Sequence, residues 1–352
     1  MFLSLIKVFA PTTIAFFIGI IITPVLTDFL YKHKLWKKKA GKTSPDGLNT
    51  PIFNKLHEQK EVGTPRMGGI IIWASALLTI IIIWIFSQLF PNDITLKLDF
   101  LSRNQTWLPL FTFISASLLG LVDDFLQVQE PGPNYNGGLS FRNRLGVVVI
   151  LGLAGGWWFY SKLGVETMHI PFTGDLMVGI WLIPIFAAVM AAMFSSGVID
   201  GLDGLSGGVM SIIFTAYAGI AFFQNQVDLA AFCAVIAGGT LAFLWFNIPP
   251  ARFYMSETGI LGLTTTLTVI AFLTDSVLWL PLIALPLFVT SLSVIIQLAS
   301  KKLRHGKKVF LVAPLHHHFE AIGWPAYKVV MRYWVISVIA ALLGMILILL
   351  DI

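Results

Sequence analysis

Val198-Ile199-Asp200-Gly201-Leu202-Asp203-Gly204-Leu205-Ser206-Gly207-Gly208 lies between two long apolar runs and carries two carboxylates, four glycines and no base. A carboxylate drawn into the hydrocarbon centre of a bilayer costs roughly 2.5–3.5 kcal/mol, so it is found facing water, a cation or a partner. Asp200 and Asp203 are three residues apart, which on a helical turn puts them on one face, and two oxygen ligands on one face suit a hard cation such as Mg2+ or a cationic substrate group. The glycines permit a tight reversal and a close approach of backbone to ligand. Taken alone, the stretch reads equally well as a polar hairpin whose aspartates cap a helix.

The apolar runs on either side continue along the chain. Of 352 residues, 57% are hydrophobic and 12% charged, far from a soluble domain. Ten runs are separated by polar or Gly/Pro-rich connections, at about 10–31, 69–90, 106–122, 144–163, 178–199, 208–224, 228–246, 259–274, 276–299 and 329–350. Most reach the roughly 20 residues that a helical span requires, and their continuity excludes the alternation of a barrel. The expectation is an all-α integral membrane protein of about ten transmembrane helices, one polytopic domain over 1–352. The first run is too long for a signal-peptide core and is read as a retained span. Pro281 and Pro286 are expected to bend or break the ninth span.

Nineteen of the 23 Lys and Arg fall in connections on one side of such a ten-span chain, beginning with Lys32, Lys34, Lys37, Lys38, Lys39 and Lys42. The positive-inside rule makes that side cytoplasmic and turns both termini outward. The net charge of +5 is therefore an orientation and anionic-lipid signal, and no nucleic-acid partner is expected. Outside, 162–177 reads as a small hairpin with Thr167-Met168-His169-Ile170-Pro171-Phe172 as first strand, Gly174-Asp175 in its turn and His169 at the surface. Cys233 is single and apolar in setting, which excludes a disulfide framework or a Cys-based metal site.

The inward side collects the chemistry. Gly63-Thr64-Pro65-Arg66-Met67-Gly68-Gly69 is a turn before a helix whose N–H groups, with Arg66, suit an anion such as diphosphate. Adjacent Asp123 and Asp124 diverge by about 100° on a helix, so they are expected to do different work. The loop holding Pro131, Pro133, Asn134, Asn136, Gly137 and Gly138 leads to Arg142 and Arg144, which at spacing two hold phosphate or simply mark the cytoplasmic side. Tyr254 reads equally well as a face for a nucleobase and as an interfacial belt tyrosine, and Glu257 is the lone acid of its connection. Lys301, Lys302, Arg304, His305, Lys307 and Lys308 precede three consecutive histidines, His316, His317 and His318, suited to phosphate or metal. Five carboxylates among bases describe a Mg2+ site handling phosphate at the membrane surface, with a lipid as one reactant.

These motifs resemble the polyprenyl-phosphate N-acetylhexosamine-1-phosphate transferases over nearly the whole chain. The resemblance rests on Gly63-Thr64-Pro65 with Met67-Gly68-Gly69, on Asp123-Asp124, and on Asp200-Gly201-Leu202-Asp203-Gly204-Leu205. It rests above all on Pro314-Leu315-His316-His317-His318-Phe319-Glu320 with Gly323-Trp324-Pro325, the signature of members that use the muramoyl-pentapeptide sugar. It implies ten helices, a cytoplasmic cleft, a Mg2+ cofactor, often a homodimer, and transfer from UDP-MurNAc-pentapeptide to undecaprenyl phosphate in a bacterial inner membrane. It also implies that Asp123 deprotonates or orients the lipid phosphate and Asp124 supports the metal. By the same resemblance Asp200 and Asp203 fall on functional acidic positions; Gly201, Leu202 and Asp203 lie near a uridine pocket; and His316, His317 and His318 contact the sugar diphosphate. The implied metal set is Asp123, Asp124, Asp200 and Glu257.

Four positions depart from the family pattern. Gly197 stands for an Asn, Gln127 for a Lys and Arg66 for a Thr, and Tyr254-Met255-Ser256-Glu257 replaces Phe-Met-Gly-Asp, moving the carboxylate one methylene outward. Ser195 or Ser196 is the candidate for the Asn contact, and Arg66 for the Lys charge. A transferase for another UDP-sugar, a transporter with intramembrane acids and a non-catalytic lipid-binding homologue are the competing readings.

Overall fold

The computed structural model describes residues 2–38, 62–102, 105–129 and 138–351; Lys39, Lys42 and the turn-rich stretch 131–137 lie outside the described residues. The long helices are α1 (Phe2–Lys32), α2 (Ile70–Leu89), α4 (Trp107–Gln129), α5 (Phe141–Lys162), α6 (Leu182–Ser195), α7 (Leu205–Phe223), α8 (Val227–Asn247), α9 (Ser256–Leu273), α11 (Leu285–Leu303) and α13 (Ala326–Asp351). Short helices α3 (Asp93–Leu98), α10 (Leu280–Ile283) and α12 (Leu315–Ala321) sit in or beside the connections. A segment surrounded by lipid must satisfy its own backbone, so continuous apolar runs become helices whatever their individual propensities.

Nine helices among the described residues are long and apolar enough to cross a membrane, one fewer than the ten spans expected from sequence. The missing one is 276–299. Pro281 and Pro286 stand near the starts of α10 and α11, where a missing N–H costs nothing, and the helix breaks at Ala284 between them. Asp351, at the end of α13, lies beside His169 in the connection between α5 and α6. An even number of crossings must therefore separate them. α6, α7, α8, α9 and α13 make five, so α10 and α11 together supply the sixth.

Burial identifies the centre. In their most apolar stretches α7, α8 and α9 bury 78%, 83% and 89% of residues, against 22% for α1 and 33% for α13, whose exposed faces are apolar and suit lipid. α4 and α9 pack without room between them: a Cβ on Gly120 would stand 2.1 Å from the Glu257 carbonyl oxygen, and one on Gly262 2.1 Å from Ser117 Oγ. This approach carries the end of α4, with both aspartates, to the start of α9.

The hairpin is present with a shifted turn. β1 (Thr167–Ile170) pairs antiparallel with β2 (Gly174–Met177), Ile170 opposite Gly174. Gly174 and Asp175 thus open the second strand, and Pro171, Phe172 and Thr173 make the turn. Phe172 (φ +59°) and Gly174 (φ +94°) take the left-handed backbone that a three-residue connection requires.

Candidate active site

Two polar loops clamp each other at the end of the bundle that holds the acids. Gly68 and Gly69 donate backbone N–H to the carbonyls of Tyr254 (2.8 Å) and Met255 (3.2 Å), and Tyr254 N–H returns to Pro65 (2.8 Å). A Cβ on Gly69 would fall 2.2 Å from the backbone of Gly259, so these glycines serve the contact between loops. The N–H groups of Gly68 and Gly69 are consumed there and do not form the anion cradle expected from sequence. Gly63 is exposed, Thr64 half-buried and Arg66 turned inward. Tyr254 is half-buried at the seam.

Asp123 and Asp124 are both fully buried, which excludes a solvated helix end. Asp124 Oδ2 accepts from Thr258 N–H (2.9 Å) and Thr258 Oγ1 (2.6 Å) in the first turn of α9, where unpaired N–H groups and the helix dipole favour an anion. Its Oδ1 accepts from Arg66 Nε at 3.3 Å. Burial works against the Arg66 charge, but Asp124, Glu257 and Asp200 outweigh it and raise its pKa above the ordinary value. Asp123 points elsewhere: Oδ1 accepts from Leu139 N–H (2.5 Å), Oδ2 from Gln127 Nε2 (2.7 Å) and Arg144 (3.3 Å). Arg144 also grips Glu257, so one guanidinium ties α4, α5 and α9 together.

The turn between α6 and α7 is not helical. A 3-10 segment, Ser196–Ile199, ends at Asp200, and Gly204 at φ +79° starts α7. Asp200 and Asp203 therefore do not share a helical face as the spacing suggested. Asp200 accepts from Ser206 Oγ (2.6 Å) and Ser256 N–H (2.9 Å), whereas Asp203 accepts from Ala251 N–H (3.3 Å). Leu202, 8% exposed, packs into the core below. Ser195 and Ser196 turn their hydroxyls back to Ala192 and Met193, so neither stands in for an Asn at Gly197.

Sequence reasoning missed the residues that hold this turn. Asn247 accepts from Gly204 N–H (2.9 Å) and donates to the Phe253 carbonyl (2.9 Å), and Trp334 Nε1 donates to the Gly204 carbonyl (3.1 Å). A buried Asn at the end of an apolar helix was the available signal.

The three histidines divide. His316 and His317 are buried against the turn: a Cβ on Gly201 would lie 2.3 Å from His316 Nε2 and 2.9 Å from His317 Nε2. His317 Nδ1 lies 2.7 Å from Glu320. His318 faces the other way, its Nδ1 accepting from Leu311 N–H (3.2 Å), so it anchors the segment that follows the basic cluster. Gln297 fixes that same segment by accepting from Val309 and Phe310 and donating to Phe310. Trp324 stacks on Phe319 and lies under Arg332 and Lys328.

The donor set suits a hard cation, being carboxylate oxygen throughout, with two acids buried where positive charge is required. Arg66 and Arg144 supply that charge in this arrangement. Among the described residues no three acids or histidines converge closely enough to form a ready cage, so the fit lies in donor chemistry. What converges is a paired acid and arginine system, an acidic turn and two buried imidazoles, a combination able to bind phosphate and move a proton.

Residues 106–275 match glycosyl transferase family 4, a span that takes in all the aspartates of the site and Glu257 but not the histidines. The chain is 34% identical over 335 residues to a protein of Geobacillus sp. (strain WCH70) named phospho-N-acetylmuramoyl-pentapeptide-transferase, covering 94% of each. It is 35% identical, with the same coverage, to the protein of that name from Geobacillus thermodenitrificans. For the Listeria innocua protein of that name the figure is 34%, over 97% of this chain and 98% of the other.

Proposed function

Because the chain belongs to the phospho-N-acetylmuramoyl-pentapeptide-transferase family within glycosyl transferase family 4, we propose that it makes lipid I. It transfers phospho-N-acetylmuramoyl-pentapeptide from the UDP-linked donor to undecaprenyl phosphate and releases UMP. A lipid phosphate oxygen forms a new bond to the sugar-bearing phosphorus, and the phosphoanhydride bond to UMP breaks. The observation that carries the reading is the pairing of buried Asp123 and Asp124 with Arg144 and Arg66 at the end of the bundle where His316 and His317 meet Gly201.

The surroundings of the site residues support a task for each. Asp123, oriented by Gln127 and Leu139, takes the proton of the lipid phosphate or aligns its oxygen for attack. Arg144 and Arg66 draw phosphate charge toward the acids and offset the repulsion that the carboxylates would otherwise exert. His316 and His317 hold the sugar diphosphate across Gly201, with Asp203 on the uridine side, Leu202 anchoring the turn in the core and Tyr254 available for stacking. Carboxylates among Asp123, Asp124, Asp200 and Glu257 would hold Mg2+, which would supply charge neutralisation for the diphosphate and the departing UMP.

The basic connections support an orientation in a bacterial inner membrane with this end facing the cytoplasm. Sealed vesicles test activity and orientation together. Inverted vesicles given undecaprenyl phosphate, Mg2+ and UDP-MurNAc-pentapeptide should release UMP, and right-side-out vesicles should do so only when permeabilised. Release from UDP-N-acetylglucosamine but not from the muramoyl donor would overturn the sugar assignment, and equal release from sealed vesicles of both orientations would overturn the sidedness.

A further inference from the structure

Ser256 combines two costs at the centre of the acid cluster. Its backbone is left-handed, φ +56°, a region that suits glycine and strains a residue with a Cβ. Its hydroxyl, on a side chain only 4% exposed, has no hydrogen-bond partner. Along the same helix Thr264 and Thr265 bond back to carbonyls of their own turns, whereas Thr266 and Thr268 share the orphan state; among the described residues Ser256 alone combines an orphan hydroxyl with a left-handed backbone. Strained residues of this kind persist where the surroundings hold them for a purpose, and a buried hydroxyl without a partner adds a second penalty to be explained.

The position of Ser256 indicates what its hydroxyl meets. Its N–H donates to Asp200 Oδ2 at 2.9 Å. The next residue is Glu257, gripped by Arg144, and the one after is Thr258, which holds Asp124. Asp200 adjoins Gly201, the glycine covered by His316 and His317. The left-handed turn at Ser256 thus joins the carboxylates of α4 and α9 to the histidine side of the site. A hydroxyl at that junction can donate to an anionic oxygen without adding charge.

We infer that Ser256 is a substrate-binding residue whose hydroxyl donates to a phosphate oxygen of the nucleotide-sugar diphosphate. The inference rests on the transferase reading above and adds to it a residue chosen by backbone strain and an orphan hydroxyl. It places Ser256 on the donor substrate, beside the histidines, and leaves the lipid phosphate to Asp123.

Two substitutions separate the hydroxyl from the strain. Ser256→Ala keeps the Cβ and removes only the hydroxyl; Ser256→Gly removes both. With the purified full chain, both variants should raise the KM for UDP-MurNAc-pentapeptide about tenfold, the worth of one hydrogen bond to a charged group, while the KM for undecaprenyl phosphate stays within twofold. Without substrate, Ser256→Gly should unfold at a temperature about 2 °C or more above the parent, because the strain is gone. The rise in Tm that UDP-MurNAc-pentapeptide gives the parent should shrink in both variants. If either variant keeps its donor KM within twofold, or both KM values rise together, the assignment is wrong and the serine is only a strained structural residue. If the parent neither releases UMP nor gains thermal stability from the donor, the transferase reading itself falls, and this assignment with it.

Discussion

Asp123 and Asp124 are neighbours in sequence yet serve different partners, a division their 100° separation on a helix foretold. What that geometry could not supply was the partners. Thr258 reaches Asp124 because α9 begins there, and Leu139 reaches Asp123 from the far side of a loop; both contacts come from tertiary approach. The same holds for Asn247, visible in sequence only as an Asn closing an apolar run, and for Ser256, visible only as a departure from Gly: what each one meets comes from tertiary approach. The consequence for Asp123 is testable. Asp123→Asn keeps the shape and the acceptor for Leu139 but removes the charge facing Arg144 and the capacity to take a proton. UMP release under Mg2+ should fall 10²–10⁴-fold, the usual contribution of a positioned base, while Arg144 keeps Glu257 and the chain stays folded. Unchanged UMP release would mean that another group does this work.

At the scale of elements, most helices were legible because hydrocarbon leaves the backbone no alternative, and two departures have local causes. The acidic turn was expected to be helical from the spacing of Asp200 and Asp203, but left-handed Gly204 starts a new helix and the two acids meet opposite ends of the α8–α9 connection, Asp203 at Ala251 and Asp200 at Ser256. The ninth span breaks where two prolines each open a helix, and its second piece runs straight into the basic cluster. The histidine block was legible as a motif and not as a structure: two imidazoles cover Gly201 and the third anchors Leu311. The tightest helix pair offers its own test. Gly120→Ala would push a methyl group into the Glu257 backbone, parting α4 from α9 at the point where Thr258 holds Asp124. Overpacking of this kind costs about 1–3 kcal/mol, so thermal unfolding should begin markedly earlier and UMP release should drop with it. Gly146→Ala on exposed α5 surface, where a Cβ meets nothing within 4 Å, is the control and should be neutral or slightly stabilising. Equal behaviour of the two variants would refute the account of the α4–α9 contact.

Across the whole molecule the two ends of the bundle keep separate networks, and this sorting is what the sequence distribution of charge foreshadowed. One end holds the acids, Arg66, Arg144 and the histidines. The other holds Lys7 with Asp228, Gln105 with Leu229, Gln226 with Leu273, and His169 between Asp175 and Asp351. His169 was expected at the surface because it lies on the side opposite the acids; the sequence turns the C-terminus to that side as well but does not show that the last helix meets the hairpin. Its Nδ1 lies 3.0 Å from Asp175 and its Nε2 3.0 Å from Asp351, whose carboxylate also accepts from Phe172 N–H (2.7 Å) and Trp279 Nε1 (3.1 Å). The hydrogen bond to Asp175, then that to Asp351 and its charge, outweigh desolvation and raise the His169 pKa above its ordinary value of about 6.5. A histidine raised in the folded state stabilises it fully below about pH 6.5 and loses that contribution as pH rises through the folded value. Asp275 nearby, raised by burial, and secondarily by Asp175, works in the same direction, since its ionisation opposes folding as pH climbs above the ordinary carboxylate range. Tm should therefore fall as the medium goes from pH 6 to pH 9, and the fall should be shallower in His169→Gln, which keeps a polar side chain but cannot acquire the charge. A His169→Gln slope as steep as the parent's would show that the hairpin and the last helix are not joined through an imidazolium.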